Sequence, residues 1–422
     1  MERALLVVIG FKRDKEKLRI EDSASELEEL VLASGTEVVD NITCICDKPT
    51  PNLLIGKGKA AELGFTAQEE NVDTVIFNRD LSGTQQRNLE EAIGRKTIDR
   101  TQLILDIFAR RAKSPEGKIQ VELAQLQYLL PRLVGKGIIL SRLGGGMGTR
   151  GPGEQKLEMD RRRIRERIDR LKIDLRDMLQ RRAVMRKKRK DNAVPVIALV
   201  GYTSAGKSTL LNSLTGAGQV VSGNLFTTLD PLAKGLQLPN GENVVISDTV
   251  GFLRGLPHHL IEAFKATLEE AVQADLLVHV LDASHPLVYA HSQAVFAVLK
   301  ELGLNEKPTI TALNKIDLLN DGMWLEKLKE DFPDSVAISA KLQVNLDSLY
   351  KKIEERFSGR MADLEVLVPA SRMDIIDLFY RQGKVREIEY LQKGIRVKVN
   401  LPKILSQKLL LNREIELLRS KS

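Results

Sequence analysis

The feature that most constrains the fold is a glycine-containing loop between a strand pattern and a helix pattern. The apolar run at residues 194–200 predicts a buried strand, and GYTSAGKS follows it directly before a helical pattern begins. Gly201 and Gly206 allow backbone N–H groups to close around phosphate oxygens, and the N-terminus of the helix adds partial positive charge. Lys207 is expected to reach the β- and γ-phosphates, and the hydroxyl of Ser208 to bind Mg²⁺. The loop therefore predicts a phosphate-binding site in an α/β sheet.

A second motif, NKID at residues 314–317, predicts which base is bound. It follows the apolar stretch PTITAL, which places it at the C-terminal end of a strand, where such sheets bind ligands. The carboxylate of Asp317 can accept hydrogen bonds from N1–H and the exocyclic amine of guanine, whereas adenine offers no such pair of donors. SAK at residues 339–341 is placed to support the same base with backbone N–H groups and a lysine stem. Together the two motifs predict GTP.

Two segments between these motifs are expected to sense the third phosphate. In DTVG, Asp248 is expected to hold Mg²⁺ through water and Gly251 to turn its N–H toward the γ-phosphate. Upstream, FTTLD at residues 226–230 offers Thr228, or less favourably Thr227, to complete the Mg²⁺ shell. Both segments would be ordered by the γ-phosphate and released on hydrolysis, as in other nucleotide switches.

The predicted nucleotide site thus combines these motifs, with Mg²⁺ as its cofactor. Its candidate binding residues are Gly201, Tyr202, Thr203, Ser204, Ala205, Gly206, Lys207, Ser208, Phe226, Thr227, Thr228, Leu229, Asp230, Asp248, Thr249, Val250, Gly251, Asn314, Lys315, Ile316, Asp317, Ser339, Ala340 and Lys341. The candidates for catalysis are Lys207, Thr228 and Gly251, and those for the metal are Ser208 and Thr228.

The residue after Gly251 is Phe252, where many GTPases place the glutamine that orients the attacking water. A phenyl ring cannot polarise water. Intrinsic hydrolysis is therefore expected to be slow. The missing group would come from a partner, from the backbone or from a rearranged side chain.

The positive charge of the chain is concentrated in one segment. The whole chain has 64 Lys and Arg against 57 Asp and Glu, a formal net charge of +7, whereas residues 150–190 alone hold 17 basic and 7 acidic residues, hence +10. Two apolar seams at helical spacing lie around it and predict a helical hairpin, joined by a glycine-rich connection at residues 135–153. The seams are Ile119, Leu123, Leu126, Leu130 and Leu133, then Leu157, Ile164, Ile168, Leu171, Leu175 and Met178. Pro131 should end or kink the first helix near its last turn.

The arginines of this segment would repel one another unless an anion neutralised them. Phosphate backbone is the common anion of suitable size, and aromatic residues for base stacking are scarce, at 4% of the chain. We therefore expect recognition of folded RNA through its backbone or shape. The candidate RNA contacts are Gly144, Gly145, Gly146, Gly148, Thr149, Arg150, Arg161, Arg162 and Arg163.

The predicted fold class is α/β and multidomain. Residues 1–115 alternate strand and helix patterns typical of a parallel α/β domain, with IGKGK at 55–59 interpreted as a turn that opens a helix and not as a second phosphate site. Residues 116–191 form the basic helical hairpin, and residues 192–358 the P-loop GTPase domain. Residues 359–422 predict a small α+β domain in the order βαββα, whose last helix ends in LLLNREIELLRS.

Several classes of protein are disfavoured. The chain has no uninterrupted apolar run of 18 residues and no secretory pattern at its start, so we expect a cytoplasmic protein. Its two cysteines, Cys44 and Cys46, cannot complete a four-ligand zinc site and are expected to be reduced thiols that pack.

At this point the motifs resemble a known family. GYTSAGKS, TTLD, DTVG, NKID and SAK, in this order, resemble the translation-factor-related class of GTPases. With GGGMGTRGPGE and DRRRI, the chain is similar over essentially its whole length to the HflX family of ribosome-associated GTPases. The resemblance implies binding of GTP, GDP and the large ribosomal subunit, with the N-terminal domain and the glycine loop facing ribosomal RNA. It implies a role in ribosome rescue, splitting or assembly, without a membrane or DNA partner.

The chain departs from the family pattern at two places. Gln155 and Lys156 stand where relatives commonly have Thr-Gln, which puts a side-chain-specific role there in doubt. Ser204 stands where many relatives have an asparagine linked to potassium-assisted hydrolysis, so potassium dependence is not predicted.

Two other functions remain open from the sequence. A signalling GTPase could use the basic face on a protein or on anionic lipid. The glycine loop and the lack of lipidation signals argue against this alternative. An RNA-modifying enzyme with an attached GTPase is disfavoured because no nucleophilic Cys, metal cluster or dinucleotide fingerprint accompanies the N-terminal domain.

Overall fold

The computed structural model describes residues 1–12, 20–133, 152–191, 194–216, 232–255, 265–410 and 415–421. The chain divides into two compact units, one built on residues 1–178 and the other mostly on the residues after 178. No helix within the described ranges is both long enough and apolar enough to cross a membrane.

The first unit contains a four-stranded parallel sheet in the order β2-β1-β3-β4. Its strands are β1 (Arg3–Phe11), β2 (Glu37–Cys46), β3 (Thr74–Phe77) and β4 (Lys96–Asp99). Its helices are α1 (Ile20–Ala33), α2 (Lys57–Glu69), α3 (Gly83–Ile93) and α4 (Arg100–Arg111). Residues 4–9 of β1 are all buried, as expected for a central parallel strand whose two faces are covered.

The predicted parallel α/β sheet is confirmed, with one addition. The sequence predicts strands at residues 4–9, 37–45 and 74–77, which correspond to β1, β2 and β3. It does not predict β4, because the short KTID segment carries no alternation of its own and is stabilised by pairing with β3. The IGKGK segment opens a helix as predicted, since α2 begins at Lys57 with Gly56 as its N-cap.

The two basic-hairpin helices are α5 (Pro115–Arg132) and α6 (Pro152–Asp191). They share an apolar cluster that contains most of both predicted seams, with Leu123, Ile168 and Leu171 buried at its centre. An ion pair between Arg167 and Glu122, with an N–O distance of 2.7 Å, lies beside this cluster. The helix α5 ends at Arg132, one residue after Pro131, so Pro131 lies in its last turn as predicted. The connecting glycine loop falls outside the described residues, apart from its last two positions.

The second unit contains a six-stranded sheet in the order β10-β9-β8-β5-β7-β6, parallel except for β6, which pairs antiparallel with β7. Its strands are β5 (Val196–Gly201), β6 (Leu232–Gln237), β7 (Asn243–Asp248), β8 (Leu276–Asp282), β9 (Thr309–Asn314) and β10 (Ser335–Ala337). Its helices are α7 (Lys207–Thr215), α8 (Lys265–Gln273), α9 (Val288–Glu301), α10 (Gly322–Asp331) and α11 (Leu346–Phe357). The C-terminal ends of its parallel strands meet at one edge, which carries the nucleotide motifs.

A second sheet follows in the same unit, antiparallel, in the order β12-β13-β11-β14. Its elements are β11 (Met361–Val368), α12 (Met373–Gln382), β12 (Lys384–Leu391), β13 (Gly394–Pro402), α13 (Lys403–Leu410) and β14 (Glu416–Lys421). The predicted βαββα order therefore needs one correction: the last helix ends at Leu410, and the chain then forms a sixth element, β14. The free edge of β11 pairs with β14, so tertiary pairing overrides the helical spacing of LLLNREIELL. The predicted domain boundaries stay predictions.

The tip of the β6–β7 hairpin contacts this second sheet domain. Lys384 Nζ donates to the carbonyl of Pro239 at 2.6 Å, and Asn243 Nδ2 donates to the carbonyl of Arg381 at 2.9 Å. Gly241 has a φ of +91°, and a Cβ at this position would lie 2.5 Å from Lys384 Cβ. The hairpin tip therefore tolerates only glycine at this turn position.

Candidate nucleotide-binding site

The P-loop connects the C-terminal end of β5 to the N-terminus of α7. Gly201 lies so close to β8 that a Cβ would collide with the carbonyl oxygen of Val280. Gly206, the N-cap of α7, has a φ of +98°, and a Cβ there would collide with the side-chain amide of Asn314. Both glycines of the motif are therefore required by close backbone packing as well as by the turn.

Lys207 is buried at the start of α7. Its Nζ donates to the carbonyl oxygens of Gly201 at 3.1 Å and Tyr202 at 2.9 Å. Burial lowers the pKa of Lys207 to about 8, and the nearby carboxylate of Asp248 opposes this shift. The ammonium is thus held inside the loop, where an anion would stabilise its charge.

Ser208 and Asp248 are joined by a buried hydrogen bond. The hydroxyl Oγ of Ser208 donates to Asp248 Oδ2 at 2.6 Å, between the first turn of α7 and the end of β7. A hydroxyl and a carboxylate are hard oxygen donors of the kind that Mg²⁺ prefers. The donor set at this position therefore fits Mg²⁺.

The DTVG segment docks on the P-loop through backbone groups. The N–H of Phe252 donates to the carbonyl of Gly201 at 3.1 Å, and the N–H of Thr203 donates to the carbonyl of Phe252 at 2.8 Å. A Cβ on Gly251 would lie 2.8 Å from Thr203 Cγ2 and 3.1 Å from Lys207 Nζ. The Phe252 side chain is buried, so it presents no polar group at the position after Gly251.

Asn314, the first residue of NKID, bridges two loops. Its Nδ2 donates to the carbonyl of Ala205 at 2.8 Å, and its Oδ1 accepts from the N–H of Ala340 at 2.9 Å. The structure therefore brings the P-loop, NKID and SAK together through one buried amide. This asparagine holds the loops in place, whereas the sequence suggests only a general binding role.

The rest of NKID is linked to SAK and to the strand β8 through side chains. Asp317 is exposed, and its Oδ1 accepts from the hydroxyl of Ser339 at 2.6 Å. Lys315 has a φ of +64°, and its Nζ lies 2.6 Å from Asp282 Oδ2. Lys341 is exposed. The Asp317 carboxylate is thus oriented by a neighbouring loop.

The remaining predicted residues divide into two groups. Thr203, Ala205, Thr249 and Val250 are buried, Ile316 is half-buried and Ser204 is exposed. Phe226, Thr227, Thr228, Leu229 and Asp230, and the RNA candidates from Gly144 to Arg150, lie outside the described residues.

The described RNA candidates lie on α6 and form ion pairs. Arg162 Nε lies 2.9 Å from Glu166, whereas Arg161 and Arg163 have longer contacts with Glu158 and Asp160. The side chains of Arg162 and Arg163 are 80% and 76% exposed, so they stay available to an anion.

Three contacts at the site were not predicted from the sequence. The ring of His291, on α9, stacks on Tyr202 with centroids 3.8 Å apart and an interplanar angle of 6°. The hydroxyl of Tyr202 accepts from the N–H of Arg254 at 3.2 Å. The third contact is the ion pair between Lys315 and Asp282. No local motif indicates these pairs, because each joins residues that are distant in sequence.

The fold and the described motifs GYTSAGKS, DTVG, NKID and SAK define the class of P-loop GTPases. Family models match three parts of the chain: one described as GTP-binding GTPase N-terminal at residues 21–109, one as GTP-binding GTPase Middle Region at 111–189, and one as 50S ribosome-binding GTPase at 196–315.

The similarity to known proteins extends over nearly the full chain. It is 48% identical to the GTPase HflX of Caldanaerobacter subterraneus subsp. tengcongensis, covering 95% of this chain and 91% of that relative. It is 40% identical to the GTPase HflX of Escherichia coli, covering 95% and 94%. A GTP-binding protein from Sulfolobus solfataricus, solved in complex with GDP, is 27% identical, covers 85% of this chain and 99% of that chain, and has a TM-score of 0.46. The chain belongs to the HflX family of GTPases.

Proposed function

We propose that this GTPase couples hydrolysis of GTP to binding of the large ribosomal subunit. The observation that carries the proposal is the match of residues 196–315 to the family model described as 50S ribosome-binding GTPase. The exposed arginines of α6 supply a positively charged surface, which is complementary to the phosphate backbone of ribosomal RNA. The protein would act in the cytoplasm, in ribosome rescue, subunit splitting or assembly.

The nucleotide would lie along the C-terminal edge of the six-stranded sheet. The backbone N–H groups of the P-loop and the ammonium of Lys207 would hold the phosphates. Asp317 would accept from N1–H and the amine of guanine. Gly251 would donate its N–H to the γ-phosphate, and Thr228 in the FTTLD segment would complete the Mg²⁺ shell.

Mg²⁺ would be held by the hydroxyls of Ser208 and Thr228, with Asp248 acting through water. When bound, it neutralises charge on the β- and γ-phosphates. The short Ser208–Asp248 hydrogen bond supports this assignment because it keeps both oxygen donors beside the phosphate-binding lysine. With the metal bound, the Ser208 hydroxyl would serve as a ligand and the Asp248 carboxylate would hold the ion through water.

Hydrolysis would be slow without a partner, because the residue directly after Gly251 is Phe252, whose side chain has no polar group. The buried ring of Phe252 packs into the domain, and its backbone is engaged with the P-loop. A partner would supply the group that orients the attacking water. The ribosomal subunit is the proposed partner, with the RNA contacts on Gly144 to Arg150 and on Arg161, Arg162 and Arg163.

Cosedimentation tests the proposal against its alternative. The protein with a non-hydrolysable GTP analogue is mixed with large ribosomal subunits or with anionic liposomes, across a series of salt concentrations. Binding to subunits that weakens steeply with salt supports the proposal. Binding to liposomes alone would favour the signalling alternative.

A pair of arginine variants sharpens this test. Arg162→Ala should weaken subunit binding and reduce its salt dependence, because Arg162 belongs to the proposed RNA surface. Arg381→Ala is the matched control: Arg381 is also an exposed arginine, 74% exposed in its side chain, in an i,i+4 ion pair on a helix. Equal effects of the two variants would remove α6 from the proposed interface.

A further inference from the structure

The base-binding motif is attached to the neighbouring strand by Asp282. β8 and β9 pair in parallel with Asp282 opposite Asn314, and the N–H of Ala283 donates to the carbonyl of Asn314 at 2.9 Å. This register puts the Asp282 carboxylate beside the next residue, Lys315. The distance from Lys315 Nζ to Asp282 Oδ2 is 2.6 Å.

The Asp282 carboxylate is oriented by its own turn. Its Oδ1 accepts from the N–H of Ser284 at 3.0 Å and from the hydroxyl of Ser284 at 2.6 Å. The side chain is 13% exposed, so the ion pair is partly shielded from water. Because Ser284 binds Oδ1 and so fixes the orientation of the carboxylate, Oδ2 points toward Lys315.

Lys315 occupies a strained position. Its φ of +64° lies in the left-handed region, which a residue with a Cβ adopts at a cost. It is also the N-cap of the 3-10 turn Ile316–Leu318, which carries Asp317. The conformation of Lys315 therefore determines where Asp317 lies, and the ion pair with Asp282 stabilises that conformation.

The other side of the turn is attached to the SAK loop. Asp317 Oδ1 accepts from the hydroxyl of Ser339, and the N–H of Ile316 donates to the carbonyl of Ile338 at 3.3 Å. The turn is thus held by Asp282 at its start and by the SAK loop at its centre.

We propose that Asp282 is a positioning residue for guanine recognition, which acts by holding Lys315 so that Asp317 faces both donors of the base. The inference rests on the proposed guanine site. Asp282 itself does not touch the base. Its loss should affect the two-point contact of Asp317 more than the contacts to the phosphates.

The test compares two nucleotides that differ only at the base amine. Fluorescent mant-GDP and mant-IDP are titrated into the full chain and into Asp282→Ala and Asp282→Asn. Since IDP lacks the exocyclic amine, it loses one of the two donors. We expect about fivefold weaker GDP binding, the size of one partly exposed ion pair, and a smaller loss for IDP. Hydrolysis at saturating GTP should stay within about twofold of the starting protein, since positioning of the base is a binding effect.

Two variants serve as controls for folding and chemistry. Asp321→Asn changes another loop aspartate, which caps α10 by accepting from the N–H of Met323, and should leave both affinities unchanged. Asp282→Glu keeps the carboxylate and should restore part of the GDP preference. The inference would be overturned if Asp282→Ala kept the preference of the starting protein for GDP over IDP, that is, if it lost equal affinity for both nucleotides.

A further variant separates this inference from the site itself. Asp317→Asn should exchange GDP preference for XDP preference, because an amide can donate to the 2-oxo group of xanthine. If this exchange is absent, the proposed guanine site fails, and the positioning role fails with it. If the exchange occurs while the Asp282 variants keep the GDP preference, only the positioning role is wrong.

Discussion

Glu242, at the tip of the β6–β7 hairpin, is expected to make the second unit less stable as the pH rises. The residue is 2% exposed, and its Oε2 has no hydrogen-bond partner among the residues that the structure describes. Burial raises the pKa of Glu242 to about 7, although Arg360 and the side chain of Asn240 oppose this shift. The substitution Glu242→Gln removes the charge and keeps the shape.

The direction in which stability changes with pH follows from proton linkage. The pKa of this carboxyl rises from 4.5 to about 7 on folding, so the folded chain binds the proton more tightly than the unfolded chain. The cost of burying Glu242 is therefore absent below about pH 4.5, grows as the pH rises, and is complete above about pH 7. Between pH 5 and pH 8 the free energy of unfolding of the starting protein should fall by about 2 kcal/mol relative to that of Glu242→Gln.

Urea unfolding at pH 5, 6, 7 and 8 measures this difference. The chain has one tryptophan, Trp324 on α10, whose fluorescence reports on the second unit. Glu330→Gln, at an exposed position of the same helix, is the control and should show no trend with pH. A difference between Glu242→Gln and the starting protein that is constant from pH 5 to pH 8 would refute the reasoning.

Three further predictions concern the site and the hairpin. Because burial lowers the pKa of Lys207 to about 8, affinity for GDP should fall by up to about tenfold from pH 7 to pH 9; Lys207→Arg, which stays charged, should flatten this profile, and an unchanged slope would contradict the cause. Ser208→Ala should leave GDP binding without Mg²⁺ nearly unchanged and remove most of the gain that Mg²⁺ gives, as measured by mant-GDP titration with and without EDTA. An equal gain in both proteins would exclude the serine as a ligand. Gly241→Ala should destabilise the second unit by about 1–3 kcal/mol in urea unfolding, because φ is +91° and Lys384 is too close. Gly235→Ala, where a Cβ meets nothing within 4 Å, is its control, and equal unfolding midpoints would refute the steric argument.

The sequence is sufficient to predict the parts of the site that depend on local backbone. GYTSAGKS requires a strand, a tight turn and a helix in succession, and β5 and α7 meet at this loop as predicted. The alternation of strands and helices also predicts the parallel sheets, and the apolar seams predict the cluster between α5 and α6. In each of these cases, the information lies within a short stretch of chain.

The features that the sequence does not predict depend on contacts between distant residues. β14 is a strand because β11 offers a free edge, although its own residues have helical spacing. The bond between Asp282 and Lys315 requires the β8–β9 register, and the bridge made by Asn314 requires three loops to meet at one edge. A single sequence contains no local signal for such pairings.

The most direct test of the central claim is GTP hydrolysis with and without purified large ribosomal subunits. The starting protein is compared with Lys207→Ala and with a chain that lacks residues 144–151. We expect subunits to accelerate turnover in the starting protein, and the deletion to abolish this acceleration while GDP binding is retained. Lys207→Ala should lose activity in both conditions. Turnover that is the same with and without subunits would contradict the proposed coupling to the ribosome and leave only the GTPase.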